Sequence, residues 1–293
     1  MLFCIYLIKG EDHQIMKKIV LLLLVLLVAT TLVAQTTGSG SVKLTAAYGS
    51  GIEAKLDTAY QLKIPMLVQD GPLFSGNNLK LKANLGVSPI AGTFTFDAVL
   101  TPIAVAEISL GGSIGTGWDF NFLGLELEGL KLGSPLTSNK LEGFYYMGRL
   151  GAAFQFDTGA VFSGDWMSVV IRTYHELNYK AYSEAGADVA WEFENAGSMV
   201  NGFNYKGEYI VGYQMPLMVN FVGAQLETYA YNLLDGPTGL FYDVGALVNT
   251  QITNQFSVLA VVQFTNYKMD DDRVIKKQDF DFKRVAVIAS YAF

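Results

Sequence analysis

Apolar and polar residues alternate along most of the chain after residue 50. From Ile52 to Ile64 nearly every second residue is apolar or aromatic, and charged or amide side chains occupy most of the positions between them. Because successive side chains of a β-strand point to opposite faces, this period of two predicts strands with one apolar and one polar face. The same pattern recurs at residues 79–88, 93–100, 103–112, 144–156, 166–176, 181–193, 205–214, 219–232, 240–252, 255–267 and 283–293.

The charged residues of these segments keep to one face. If the more apolar parity of each segment is taken as one surface, that surface carries no Asp, Glu, Lys or Arg except Lys283, the first residue of the last segment. An Arg or Lys that faces lipid near the middle of a membrane costs about 2–4 kcal/mol, which accounts for so strict an exclusion. A soluble sandwich would also hide its apolar faces, so this pattern alone leaves both architectures open.

The placement of aromatic residues favours the membrane architecture. Phe144 and Tyr146 stand at one end of the apolar face of segment 144–156, and Phe154 and Phe156 stand at the other. Smaller residues lie between them. Tilted by about 40°, such a strand spans roughly 30 Å, which suits an apolar band about 25 Å tall with an aromatic girdle at each interface.

The predicted fold is all-β: a transmembrane antiparallel up-and-down barrel over residues 41–293, with fourteen strands and twelve as the alternative. Two segments complete the fourteen. Residues 118–132 change phase near Phe122 and Leu123, which we interpret as a bulged strand, and residues 42–48 give a short first strand.

The first 34 residues have the order of a secretory signal. Lys17 and Lys18 precede an apolar run from Ile19 to Ala29, which is too short to span a bilayer, and small or polar residues follow. We therefore predict a signal peptide at residues 16–34, with cleavage after Ala34. We interpret residues 1–15 as an upstream extension that results from a misassigned start codon.

Composition excludes several classes of function. Apolar residues make up 51% of the chain and charged residues only 16%, so disorder is excluded. The net charge of -7 argues against nucleic acid as a partner. The single cysteine, Cys4, precedes the predicted cleavage site and rules out a disulfide framework or a Cys-based metal centre. No pattern calls for a cofactor.

The last segment carries a more specific signature. Val285, Val287, Ala289, Tyr291 and Phe293 alternate to the end of the chain, with an aromatic residue third from last and a terminal Phe. This ending resembles the C-terminal signature of bacterial outer-membrane β-barrel proteins. The resemblance implies an outer-membrane location among its lipids, recognition by the barrel assembly machinery, both termini in the periplasm, short turns on that side and long loops outside.

Two features that could suggest catalysis or metal binding have simpler explanations. His175 shares the lipid-facing parity with Thr173 and Leu177, so it lacks the His-x-Ser arrangement that the resemblance would require of a lipid-modifying enzyme. The acidic triplet Asp270 to Asp272 could attract a divalent cation, but the same loop carries as many basic residues and is typical of a solvated mixed-charge loop. We expect no catalytic, cofactor or metal site.

The interior remains as the candidate site. The two signs of charge partly segregate on the polar parity, with Lys80 and Lys82 in one segment and acidic residues in another, which would create a transverse field and a slight preference for cations. The predicted function is a narrow diffusion pore or transporter for small solutes. A closed structural or surface-interaction barrel and, third, a lipid-modifying enzyme are the alternatives. The lumen-facing candidates are Arg149, Arg172, Glu184, Asp188, Glu192, Lys206, Glu208, Glu227 and Arg284.

Overall fold

A computed structural model describes residues 36–49, 51–122, 124–234 and 239–293. The predicted upstream extension and signal peptide lie outside these residues. The strands, in chain order, are β1 (Thr37–Gly49), β2 (Ile52–Pro65), β3 (Asn78–Val87), β4 (Ala91–Ile103), β5 (Ala106–Gly117), β6 (Asp119–Phe122), β7 (Leu125–Glu128), β8 (Leu130–Leu132), β9 (Thr137–Ser138), β10 (Tyr145–Asp157), β11 (Ser168–Tyr182), β12 (Trp191–Phe193), β13 (Gly202–Gln214), β14 (Val219–Ala230), β15 (Phe241–Gln251), β16 (Phe256–Met269) and β17 (Ile275–Ala292). Within the described part of the chain, no helix has the length and apolar character needed to cross a membrane.

Twelve of these strands form one closed antiparallel barrel, in the order β1-β17-β16-β15-β14-β13-β11-β10-β5-β4-β3-β2. The first and last strands meet at a seam, where Ser41 pairs with Ala292 and Gly49 pairs with Arg284. Phe293 extends the seam, because its N–H donates to the carbonyl of Gly40 and its carbonyl accepts from the N–H of Gly40. The barrel sheet therefore has no edge strand, and its backbone groups find their partners within the sheet.

The prediction of fourteen strands is wrong, and the alternative of twelve is correct. Residues 118–132 form the separate hairpin β6–β7 and the short strand β8, in place of one bulged barrel strand. Residues 181–193 contribute only the end of β11 and the short strand β12, which pairs with β8. Both segments alternate in polarity, but Leu130, Trp191 and Phe193 pack together at one end of the barrel, and a period of two cannot distinguish such packing from a lipid-facing surface.

The two faces of the barrel differ in polarity. On β5, Ile108, Leu110 and Ile114 are exposed on the outer surface, and comparable apolar side chains cover the outside of the other barrel strands. Ion pairs on the opposite parity skip a strand: Lys80 of β3 contacts Glu107 of β5 at 2.5 Å. Side chains from next-but-one strands converge on the concave side of a curved sheet, so the polar parity faces the interior.

The connections at the two ends of the barrel differ in length. At the end where the chain's termini lie, which we call the terminal end, the connections are residues 66–77, 104–105, 158–167, 215–218 and 252–255. At the other end, which we call the mouth, two connections are much longer, residues 118–144 and 183–201. We call these two connections the mouth segments.

The close packing at the seam predicts that replacing Gly49 destabilises the barrel. A Cβ added at Gly49 would lie 2.0 Å from the carbonyl oxygen of Lys283 and 2.5 Å from the Cα of Arg284, whereas one added at Gly51 would meet nothing within 4 Å. Since backbone cannot yield as a flexible side chain can, Gly49→Ala should destabilise the closed barrel by about 1–3 kcal/mol, and Gly51→Ala should not. Denaturant unfolding of the refolded protein measures the difference, and equal stability of the two variants would contradict the seam geometry.

Candidate functional site

The mouth segments fold together across one end of the barrel. Their strands β12, β8 and β9 form a three-stranded sheet, in which Trp191 pairs with Leu132 and Phe193 pairs with Leu130. A further bridge joins Trp191 to Met199. The segments thus form a small folded unit of their own.

An apolar cluster fixes this unit to one wall of the mouth. Trp191 and Leu130 are fully buried against Ala91 of β4 and Tyr182 of β11. Tyr145 of β10 stacks on the ring of Phe193, with 4.6 Å between ring centroids and 8° between the planes. Since Ala91, Tyr145 and Tyr182 lie on the inner parity of their strands, the cluster fills this side of the mouth from within.

Ion pairs connect the same unit to the opposite walls. Glu192, only 1% exposed, accepts hydrogen bonds from the guanidinium of Arg273, 2.5 Å away in the β16–β17 turn, and its other oxygen lies 3.2 Å from Lys131. Glu194 pairs with Lys55 of β2 at 3.0 Å. We call the Glu192, Arg273 and Lys131 contacts the latch. The mouth segments therefore touch both sides of the barrel and narrow its opening.

The latch changes the acidity of its central carboxyl group. Burial raises the pKa of Glu192, but the hydrogen bonds and charge of Arg273, the charge of Lys131 and the N–H of Gly197 outweigh burial and lower the pKa overall. Glu192 is therefore ionised and paired at neutral pH.

Several predicted lumen residues form ion pairs on the inner parity. Arg149 donates to both carboxylate oxygens of Asp97, at 2.6 and 2.5 Å from Nη2. Arg172 pairs with Glu208, and Lys206 lies 3.1 Å from Glu227. Arg284 spans from β17 to Glu53 of β2, at 2.6 Å, and also donates to Gln263. The inner charges are thus largely arranged in neutralising pairs.

The three acidic candidates of residues 181–193 do not lie on a barrel strand. Glu184 accepts a hydrogen bond from Ser183, Asp188 is exposed, and Glu192 belongs to the latch. The acidic strand that was to oppose Lys80 and Lys82 is therefore absent from the barrel, and the expected transverse field loses its basis. Lys180, on the inner parity of β11 beyond its predicted end, adds positive charge instead, and Lys283, which a bulge in β17 turns inward, pairs with Asp243.

A cavity of about 280 Å³ lies against the inner faces of β10, β11, β13 and β14. Its lining includes tyrosine rings, the amides of Asn178 and Asn204, and the charged groups of Glu176 and Lys180. Sequence reasoning missed this site because it ended the strand at Glu176. Continuing the even-numbered polar parity from Glu176 to Asn178 and Lys180 would have found the two inward side chains that follow.

His175 lies on the outer surface, as its parity predicted. Its Nδ1 is 2.7 Å from the hydroxyl of Tyr205, and the edge of one ring meets the face of the other between His175 and Tyr209, with centroids 5.4 Å apart. Both tyrosines occupy the same lipid-facing parity. The contacts make this histidine part of an outer aromatic group and bring no serine to it.

The acidic triplet shapes a turn. One oxygen of Asp270 accepts from the N–H groups of Asp272 and Val274, and the other lies 2.6 Å from Lys276. The bond from Lys276 and these backbone bonds lower the pKa of Asp270. Over the described ranges, no group of three or more His, Cys, Asp or Glu side chains is placed to hold a metal ion.

Comparisons with known proteins found similarity to solved structures. No protein-family model and no curated protein sequence matches the chain. The similar solved structures include porins and another outer-membrane protein. A KdgM porin in complex with disordered oligogalacturonate has a TM-score of 0.45 and 11% identity, covering 86% of this chain and 99% of that chain. A NanC porin has a TM-score of 0.44 and 8% identity, with 86% and 98% covered. OmpT of Vibrio cholerae has a TM-score of 0.41 and 9% identity, with 88% and 99% covered.

The closed antiparallel β-barrel is established by this chain's own strand pairing. At such low identity the likeness concerns the fold and says nothing of substrate. The function must be argued from this chain's own side chains.

The latch predicts acid sensitivity at the mouth. The folded-state pKa of Glu192 is lowered. The stability that its ionised carboxylate gives to the mouth is therefore complete above the ordinary pKa near 4.5 and is lost as the pH falls through the lowered pKa. In a variant that keeps Trp191 as its single tryptophan, acidification should shift Trp191 emission to the red as the cluster opens. Glu192→Gln should show the shifted emission already at neutral pH.

Glu184→Gln is the matched control, because Glu184 is exposed and lies outside the latch. It should keep the acid transition of the parent. A transition that survives unchanged in Glu192→Gln would show that another group controls the mouth.

Proposed function

We propose that this protein is a bacterial outer-membrane β-barrel that conducts small hydrophilic solutes through a lumen narrowed at its mouth. The observation that carries the proposal is the opposite polarity of the two faces of the closed barrel: apolar side chains outside, and ion pairs with a polar cavity inside. A soluble barrel would have the reverse arrangement, with an apolar interior and a charged surface.

The outer face supports the membrane part of the proposal. Exposed apolar residues occur on strand after strand, including Leu56 of β2, Leu110 of β5, Leu150 of β10 and Val211 of β13. A soluble monomer rarely exposes contiguous apolar patches of more than a few hundred Å². Lipid is the solvent that such a continuous belt fits, since each buried backbone group is already paired in the sheet.

The interior supports the conduit part of the proposal. Eight strands give a bore filled by side chains and sixteen to eighteen give an aqueous channel, so twelve strands suit a narrow path. The paired charges line that path without a strong net sign, which favours selection by size and hydrogen bonding over selection by charge. The latch and the apolar cluster beside it narrow the path at the mouth.

A closed structural barrel is the second candidate, and a specific observation favours it. Besides the apolar cluster at the mouth, a second cluster of Ala47, Leu247, Val261 and Ala286 occupies the inner face near the seam. Two such clusters could leave no continuous path. Electrical recording separates the two candidates.

We further infer that residues 16–34 direct export, that both termini lie in the periplasm, and that the barrel assembly machinery recognises the ending Val285, Val287, Ala289, Tyr291 and Phe293. The length of the mouth segments supports this orientation, because outer-membrane barrels carry short periplasmic turns and longer extracellular loops. The outward parity of Val285, Val287 and Tyr291 on β17, each exposed, leaves these side chains accessible to a partner during assembly.

Planar bilayer recording tests the conduit directly. The refolded protein should give small conductance steps, and Arg273→Ala, which removes one side of the latch, should give larger or more frequent openings. Lys277→Ala, which removes an exposed lysine of the same hairpin outside the latch, is the control and should leave the steps unchanged. Silence from both the parent and Arg273→Ala, with folded protein verified by heat-modifiable gel migration, would favour the closed barrel.

Lipid contact is tested by one position in the middle of β5. Leu110 is 65% exposed on the outer face and pairs with Leu150 and Ala98. Leu110→Arg should reduce the free energy of folding into lipid vesicles by about 2–4 kcal/mol. Leu110→Ala, which shortens the side chain without adding charge, should cost much less. If Arg and Ala are equally tolerated, this face does not meet lipid.

A further inference from the structure

The cavity inside the barrel contains two charged groups, Glu176 and Lys180, that form no direct ion pair with any described residue. Four barrel strands, β10, β11, β13 and β14, supply its walls, and Arg149, Glu176, Lys180 and Lys206 are its charged lining residues. Two of these are already paired: Arg149 with Asp97 and Lys206 with Glu227. The charges of Glu176 and Lys180 remain to be explained.

Glu176 is held by neutral groups only. Its side chain is buried, and its two oxygens accept hydrogen bonds from the hydroxyl of Tyr174 at 2.7 Å and the amide of Asn178 at 2.8 Å. Among the described residues, no ammonium or guanidinium nitrogen comes within 4.0 Å of this carboxylate. Arg149 and Lys180 act on this carboxylate only through longer-range charge. A buried carboxylate without a direct ionic contact is costly, so the cavity favours a positive group next to Glu176.

Lys180 presents the opposite charge to the same space. It lies four residues further along β11, on the same inner parity and nearer the mouth. Across the described ranges its ammonium group makes neither a hydrogen bond nor an ion pair. An ammonium group carries three donors, and in this cavity they are open to a ligand oxygen.

The spacing of the two groups suits a short dipolar ligand. Four residues of strand separate the Cα atoms of Glu176 and Lys180 by about 13 Å, and both side chains extend into the cavity and shorten that gap. The rings of Tyr145 and Tyr229 also line the space. Both rings already have neighbours: Tyr145 stacks on Phe193, and the ammonium groups of Lys206 and Lys283 lie 5.9 Å from the Tyr229 ring centroid. The rings therefore bound the space, and the preference for a positive group comes from Glu176.

We propose that this cavity binds a free amino acid, or an equally small zwitterion, with its carboxylate on Lys180 and its ammonium on Glu176. A simple anion would pair with Lys180 and leave Glu176 without a direct ionic contact. A simple cation would do the reverse. The cavity volume of about 280 Å³ accommodates an amino acid, since a water molecule takes a share of about 30 Å³ in the liquid. The inference deepens the proposed function, because it supplies a substrate class for the conduit.

Calorimetric titration of the refolded barrel with leucine tests the site. Leucine should bind about tenfold or more tightly than 4-methylpentanoate, which lacks the ammonium group, and than 3-methylbutylamine, which lacks the carboxylate. Lys180→Met and Glu176→Gln should each weaken leucine binding by a similar factor, because each removes one charge-assisted contact. Lys43→Met, which removes an inner-face lysine of β1 outside the cavity, should leave the affinity unchanged.

The outcomes separate this inference from the conduit. If 4-methylpentanoate binds as well as leucine and only Lys180→Met weakens it, the cavity is an anion site and the zwitterion proposal is wrong. Absence of leucine binding at millimolar concentration, in protein that gives conductance steps, would overturn the site and leave the pore. Leucine binding without conductance would overturn the pore and leave the site.

Discussion

Closure of the sheet is the constraint on which the rest of this structure depends. Pairing of β1 with β17 leaves no unpaired strand edge, so the strands can cross a medium that offers the backbone no hydrogen bonds. Once the backbone is satisfied, the alternation of side chains assigns one parity to the outside and the other to the interior. The low charged fraction of the chain follows from this geometry, because the outer half of the barrel strands is largely apolar.

The barrel interior must also accommodate charged side chains in a confined space. Most are neutralised by a partner one or two strands away, as in the pairs of Arg149 with Asp97 and of Arg284 with Glu53. The bulge opposite Gln263 turns two successive basic residues inward, so that Lys283 reaches Asp243 while Arg284 reaches Gln263. Against this background of pairs, the separate charges of Glu176 and Lys180 stand out as groups that a solute could engage. The mouth segments lie between these two residues and the end of the barrel, and they narrow the opening through which a solute would reach them.

The alternation of polarity was sufficient to predict the barrel and the faces of its strands, because each lipid-facing strand must repeat the same pattern along its length. It failed where a segment alternates for another reason. Trp191 and Phe193 alternate with Glu192 because β12 buries both rings in the mouth and offers its carboxylate to Arg273 and Lys131. No local pattern reveals that the partner of Glu192 lies in a turn 81 residues away. For the same reason the prediction placed Glu184 and Asp188 on a barrel strand, although they lie in a mouth segment. The prediction also ended β11 at Glu176, before Asn178 and Lys180, and so missed the cavity.

Thiol accessibility tests the central claim that side chains of the polar parity face water and side chains of the apolar parity face lipid. The chain after the predicted cleavage site contains no cysteine, so single cysteines can be introduced without interference. Ser113 and Leu150 occupy the inner face of β5 and the outer face of the adjacent β10. In lipid vesicles, a charged, membrane-impermeant thiol reagent should modify Ser113→Cys and spare Leu150→Cys. Modification of Leu150→Cys with protection of Ser113→Cys would contradict the account, because it would place the apolar face in water.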